Sequence, residues 1–240
     1  MKKIIIVALI LSTLLLCSCK PNVELPPVID DTQEVEQSDI VIEDYIFTEE
    51  TEFVAGVSAE VYITAPKAVA PLYGENVDKF NQLVQINVDT VKNEYLRDVA
   101  MNEGAEGIVG TSRMLTYDVY TAKDGYISVM LKVTYALSGF VTPQVAYRCI
   151  NYDLKAGNVV LLSDIVGEDK VDTVKALIIE QMKENPDKYY STEDDALKDI
   201  DINSSFLEKE DKIYVVIGEY TIAPRSAGTQ IFEINKGDIA

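Results

Sequence analysis

The sequence has no histidine and no tryptophan, and only three cysteines in 240 residues. Without histidine there is no His-based triad, no HExxH zinc site and no imidazole ligand for a metal. Basic residues are also scarce. Twenty-one Lys+Arg stand against 40 Asp+Glu, for a net charge of −19. Such a chain has little to neutralise a phosphate backbone, which excludes electrostatic nucleic-acid binding. No GxSxG, CxxC, P-loop or GxGxxG stands in a supporting context, and no catalytic residue is assigned. Acidic pairs such as Asp194-Asp195 follow from the composition. Carboxylates doing acid–base work need one raised pKa in a defined cleft. A non-enzymatic protein is therefore expected, without a cofactor unless a metal loop considered below holds Ca²⁺. The 48% apolar content and the length suit one or two domains with a packed core.

The first residues read as an address. Lys2 and Lys3 precede an apolar run from Ile4 to Leu16, broken only by Ser12 and Thr13. A bilayer span needs roughly 20 apolar residues, so this run fits a secretory signal instead. It ends in Leu16-Cys17-Ser18-Cys19. Leu three places before Cys19, and a small residue directly before it, form the pattern of a bacterial lipobox. The expected lipid-bearing residue is Cys19, whose thiol takes a lipid such as palmitate. Residues 1–18 are expected to be removed, leaving an extracytoplasmic protein anchored to the bacterial cell membrane. The alternative is an ordinary signal peptide with incidental cysteines. Cys149 then has no partner for an intramolecular disulfide. Val145, Tyr147 and Cys149 alternate along an expected strand, which favours a buried thiol over a reactive one.

Residues 20–52 hold three prolines, eleven acids and a single base, Lys20. Such a stretch buries too little apolar surface to offset its ordering entropy, and like charges extend it. Residues 19–52 are expected to form an acidic disordered tether, with an ordered edge strand at Ile40–Phe47 as the alternative. The body, 53–240, carries 18 bases and 29 acids, a net charge of −11.

Within the body, Val57, Ala59, Val61 and Ile63 alternate with polar neighbours, as in a half-buried strand. Val77, Phe80, Val84, Val88, Val91, Tyr95 and Val99 step by three and four, which predicts a helix from an Asn76 N-cap to a Gly104 stop. Strands over 112–122 and 126–137 flank an Asp124-Gly125 turn, and another covers 144–154. A second helix is expected over 169–185, then strands at 205–209, 212–222 and 228–235. The fold class is α+β: mostly antiparallel sheet with two amphipathic helices packed on it. The expected halves are an N-terminal subdomain at 53–155 and a C-terminal one at 156–240.

Two stretches carry a family resemblance. One is Asn151-Tyr152-Asp153-Leu154-Lys155-Ala156-Gly157-Asn158 with Leu161-Leu162-Ser163-Asp164-Ile165. The other is Phe206-Leu207, then Tyr214 to Pro224, then Gly228. Together they resemble an extracytoplasmic pair of domains of unknown function. That pair occurs in RsiV-type anti-sigma factors and beside the deacetylase of PdaC-type enzymes, and the likeness spans roughly 54–236. The sequence departs from the pattern twice. Ser138-Gly139-Phe140-Val141-Thr142-Pro143 replaces a Gly-Gly-Ala-His loop, and Arg225 replaces an aromatic. The chain is also expected to lack the sigma-binding segment and membrane span of an anti-sigma factor, and it has no His for a deacetylase. The resemblance implies a stand-alone binding part on a lipid anchor, and in RsiV-type proteins this pair recognises lysozyme.

Two kinds of site are candidates. Asp199, Asp201, Asn203 and Glu210 nearly match the spacing of an EF-hand Ca²⁺ loop, although Ser204 stands where that loop needs Gly. The alternative is a polar loop with Ile200 and Ile202 packed inward. Tyr135, Tyr147, Tyr220 and Arg225 lie near the loops that the resemblance points to, as partner contacts. An acidic body suits a cationic partner such as lysozyme, although acidity also serves solubility. The expected function is a non-catalytic binding module. The alternatives are a structural envelope lipoprotein and a divalent-metal-dependent binder of cell-wall glycan.

Replacing Cys19 with Ala removes the lipid attachment point. Expected outcomes are loss of radiolabelled palmitate from the chain and its release from the membrane fraction, checked by metabolic labelling and fractionation.

Overall fold

The computed structural model describes residues 40–54, 56–103, 107–139 and 142–239. The signal segment with Cys17 and Cys19, the tether as far as Asp39, Gly104, Phe140 and Val141 lie outside the described residues.

Strands β1 (Val41–Val54) and β2 (Val57–Val69) pair antiparallel. Helix α1 (Glu75–Asn102) crosses over to β3 (Thr111–Lys123), which lies parallel to β2. β4 (Tyr126–Leu137), β5 (Gln144–Asp153) and the short β6 (Asn158–Val159) follow antiparallel, giving a large sheet in sequential order β1 to β6. Helices α2 (Leu162–Val166) and α3 (Val171–Lys183) lead to a small antiparallel sheet of β7 (Phe206–Lys209), β8 (Lys212–Ile217) and β9 (Gln230–Asn235). The fold is α+β. Among the described residues no helix is long and apolar enough to cross a membrane.

The apolar stripe of α1 sets the first layer. Val77, Phe80, Val84, Val88, Val91 and Tyr95 are buried against one face of the large sheet, where Val61, Ile63, Leu115, Ile127, Val129 and Leu131 meet them. Burying each such side chain stabilises by about 1.5–3 kcal/mol, so this face is the largest single source of stability here. The expected Asn76 N-cap is corrected. Gly74, at φ 52°, occupies the cap position, and Asn76 Nδ2 instead donates to the Leu154 carbonyl at 2.9 Å. The Asp124-Gly125 turn forms as expected, with both residues at positive φ (56° and 78°), the geometry that favours this pair.

Strand alternation places the small sheet on the opposite face of the large one. On β8, Ile213, Val215 and Ile217 point to a core with Val174, Ile178 and Met182 of α3, while Val216 and Tyr214 point the other way. There Val216 meets Met130 of β4, Leu207 of β7 and Cys149 of β5. The layers therefore run α1, large sheet, small sheet, α3. β8 stops at Ile217 rather than at Ile222, because the chain turns at Gly218.

Polar groups join the sheets as well. β7 is an edge strand whose free side faces β3, β4 and β5. Asn151 Nδ2 donates to the Phe206 carbonyl at 2.7 Å, the Glu208 N–H donates to Ser128 Oγ at 3.0 Å, and Thr121 Oγ1 donates to the Glu208 carbonyl at 2.6 Å. Ser128 and Asn151 are buried, so each bond also answers a backbone group that water does not reach.

The tether is corrected at its C-terminal end. Residues 41–52 belong to β1. Tyr45, Phe47 and Phe53 pack on the α1 core, Thr51 shares a hydrogen bond with the buried Tyr95, and Lys92 sits 3.9 Å above the Phe47 ring. The five acids Glu43, Asp44, Glu49, Glu50 and Glu52 are all exposed. Net charge indicated disorder; the interleaved aromatics decided the matter, since a strand at a sheet edge keeps its charges in water while its alternate residues face the core.

Truncating Asn151 to Ala strands the Phe206 carbonyl in the interior. The expected loss is about 1–3 kcal/mol of stability, read from the urea midpoint.

Candidate functional site

The loop from Gly218 to Thr229 joins β8 to β9, and it is built from the inside outward. Ile222 and Ala223 are buried in the core under α3. The Ile222 carbonyl accepts the Tyr190 N–H at 2.9 Å, which ties the loop to the segment after α3. Gln230 is buried, and its amide donates to the Ala227 and Gly228 carbonyls at 2.7 and 2.9 Å. With the base held this way, the chain turns just past β8, where the Thr221 N–H donates to the Gly218 carbonyl at 3.3 Å and Tyr220 adopts φ 62°. A bulky residue in left-handed backbone is an uncommon, strained placement. Its side chain is 60% exposed. Tyr190 is exposed to the same degree, and its own N–H makes the hydrogen bond to Ile222, two residues from Tyr220, that joins the two segments.

Arg225 staples this loop to its neighbour. Its Nη2 donates to the carbonyls of Thr142 and Pro143 at 3.1 and 3.0 Å, and its Nε lies 3.7 Å from Glu219 Oε2. Thr142 and Pro143 close the loop between β4 and β5. The two places where the sequence departs from the resembled pattern therefore meet, and an aromatic ring at position 225 lacks the charged guanidinium fork that serves both carbonyls and Glu219.

The other two tyrosines are occupied. The Tyr135 ring lies 4.1 Å from the guanidinium carbon of Arg113. Arg113 is itself buried and forked onto Asp98 (2.6 and 3.1 Å), with Glu94 at 2.6 Å. Tyr147 packs between the sheets beside Tyr120, Tyr214 and Cys149. Burial pushes the Cys149 thiol up from 9.0 to about 12, so it stays protonated and is not a nucleophile at neutral pH. Of the expected contacts, Tyr220 and Arg225 share one loop, whereas Tyr135 and Tyr147 belong to the framework. Tyr190 was missed. Its signal was the Tyr189-Tyr190 pair, in which one ring packs on Phe232 and its neighbour must turn outward.

The four residues spaced like a Ca²⁺ loop do not converge. Asp201 Oδ1 accepts the Asn203 N–H, and Asn203 Oδ1 accepts the Ser163 N–H, each at 2.8 Å. Ile202 is buried and Ile200 half-buried in the core beside them. Glu210 lies past the extended β7, in the turn to β8 at φ 56°. Among the described residues no group of three or more acids or cysteines is placed to hold a metal ion. Glu210 instead borders a cleft of about 540 Å³ with Asp124, Asp153, Asp164 and Glu208. Most of these carboxylates are already engaged. Asp153 accepts two N–H groups of its own turn, Asp164 accepts the Leu161 N–H, and Glu208 pairs with Lys236.

Residues 163–236 match the model of a family described as "Protein of unknown function (DUF3298)". This stretch is a DUF3298 domain. It takes in most of α2, all of α3 and the small sheet with its Tyr220 loop. The fold likeness reaches further. The crystal structure of a DUF3298 family member from Bacteroides fragilis NCTC 9343 superposes with a TM-score of 0.58 at 13% identity, covering 83% of this chain and 92% of that one. A DUF3298 family protein from Pseudomonas aeruginosa PAO1 gives 0.58 at 16% identity, with the same coverage. No curated protein matches the sequence. The tyrosine tip and the arginine staple thus belong to one DUF3298 loop and the large-sheet loop it grips.

Replacing Tyr220 with Gly relieves the left-handed backbone. The expected result is a gain of about 1 kcal/mol in stability, seen as a higher urea midpoint with an unchanged slope.

Proposed function

We propose that this protein is a bacterial cell-surface lipoprotein, held by lipid on Cys19, whose folded part is a non-catalytic module that binds lysozyme or another cationic wall-active protein. The observation that carries this reading is Tyr220: an exposed aromatic held in strained backbone at the tip of a loop whose base is tied down on both sides. Strain of this kind persists where the surroundings over-determine it, and it collects at binding sites. A rigid tyrosine offers large contact area at little entropic cost, and Tyr190 adds a second. Charge supports a cationic partner. Residues 40–240 carry 34 acids and 18 bases, a net charge of −16, which speeds encounter with a basic protein and disfavours acidic ones. Resemblance to the extracytoplasmic part of RsiV-type anti-sigma factors supports the choice of lysozyme. Occupying such a protein at the surface would protect the wall without chemistry.

Calorimetric titration of residues 38–240 with lysozyme tests the proposal. The fragment starts before β1 because that strand belongs to the core. Saturable one-to-one binding is expected at about 0.15 M salt and survives at about 0.5 M, where screening removes unspecific attraction. Tyr220→Ala is expected to weaken it by about 2 kcal/mol, the scale of an aromatic anchor. Binding that vanishes at the higher salt, or that is indifferent to Tyr220, rejects the proposal.

A further inference from the structure

The two edges of the large sheet differ in how they are defended. The β1 edge carries five exposed acids, and such charges keep foreign strands away. The opposite edge is β5. β6 covers only its end, at Tyr152 and Asp153, and the Val160 N–H donates to the Asn151 carbonyl just before them. Asn151 thus turns its carbonyl outward. By strand alternation the backbone groups of Val145, Tyr147 and Cys149 face the same way. Among the described residues no hydrogen bond reaches them from that side. The only charge from Val145 to Ile150 is Arg148.

This edge is recessed rather than flat. It borders a groove of about 500 Å³ between two walls. Leu83, Ile86 and Thr90 of α1 form one wall, with Ile86 62% exposed; Ser205, Val216 and Gly218 form the other. The β5 side chains sort to the same two sides. Ile150 joins the core under α1 and Cys149 joins the cluster between the sheets, so Arg148 projects on the α1 side. Arg148 is exposed and has no carboxylate partner among the described residues, although the chain is rich in acids.

We propose that the free edge of β5 binds an extended peptide from another protein as an added strand, with an acidic side chain against Arg148. About 20 Å of edge from Val145 to Ile150 suits a segment of about six residues. Its backbone completes the ladder. On the α1 side its acidic residue is flanked by apolar ones facing Leu83 and Ile86; on the other side small or apolar residues face Ser205 and Val216. Main-chain bonds supply the affinity and the alternating walls supply the selectivity. This site requires neither the lipid anchor nor a cationic ligand, and it stands or falls apart from the Tyr220 loop.

The test uses the full chain in a nonionic detergent and a fluorescein-labelled peptide about nine residues long, alternating threonine and valine around a central glutamate, read by anisotropy. Saturable binding is expected, with slowed hydrogen exchange at the Tyr147 and Cys149 amides. N-methylating alternate peptide nitrogens, in both phases, is expected to weaken one of the two peptides by about tenfold or more, because it removes the bonds to β5 and leaves the side chains. Arg148→Glu, an exposed change, is expected to weaken the glutamate peptide about tenfold and to favour a lysine-centred one. No binding, equal binding of both N-methylated peptides, or indifference to Arg148→Glu overturns the proposal. So does a dimer of the chain, detected by sedimentation, that occupies this edge and dissociates on Arg148→Glu.

Discussion

The free side of β7 is the constraint on which the rest of the structure depends. A four-residue edge strand of the small sheet, buried at Phe206 and Leu207 and with its free side against the large sheet, presents backbone groups that no neighbouring strand pairs. Thr121, Ser128 and Asn151 supply the missing partners from three strands of the large sheet. Because each bond joins a particular side chain to a particular backbone group, the seam fixes register as well as proximity. Hydrophobic contact alone between Met130, Leu207 and Val216 would tolerate sliding. The polar bonds do not, since a shift of one residue would leave buried groups unpaired at a cost of about 1–3 kcal/mol each.

Once the sheets are held, their loops become a surface. The turn at Gly218 brings the β8–β9 loop beside the one between β4 and β5, and Arg225 joins them. The buried Ile222 and Ala223 anchor the loop from below, so the backbone has no freedom to relax Tyr220 out of its left-handed conformation. The same layering leaves the outer edge of β5 recessed between α1 and the end of β8. Both surfaces are thus by-products of how two sheets of unequal width stack: the large one extends past the small one, and its edge and loops stay open.

Much of this was legible in the residues. The α1 stripe, the Asp124-Gly125 turn and the alternation on β2 report faces, and faces depend on local periodicity. Acidic β1 was misread because its charge was averaged over the segment, whereas Tyr45, Phe47 and Phe53 are placed one by one. Glu210 fits the Ca²⁺ spacing by count alone: the strand expected at 205–209 forms, and its extended backbone carries Glu210 away from Asn203. Tyr135 lies where its loop suggested, yet Arg113 is beneath it, and no local pattern announces a pairing between α1, β3 and β4.

By itself the sequence determined which residues seek the interior, where helices and hairpins form, and what charge the surface carries, because these follow from local geometry and composition. The tertiary structure alone decided that Arg225 grips Thr142 and Pro143, that Asn151 and Ser128 answer β7, and that one sheet edge is defended while the other lies open. Those outcomes turn on hydrogen bonds between residues 55 to 83 positions apart in the chain, or on which strand ends a sheet, and only packing brings such groups to about 3 Å.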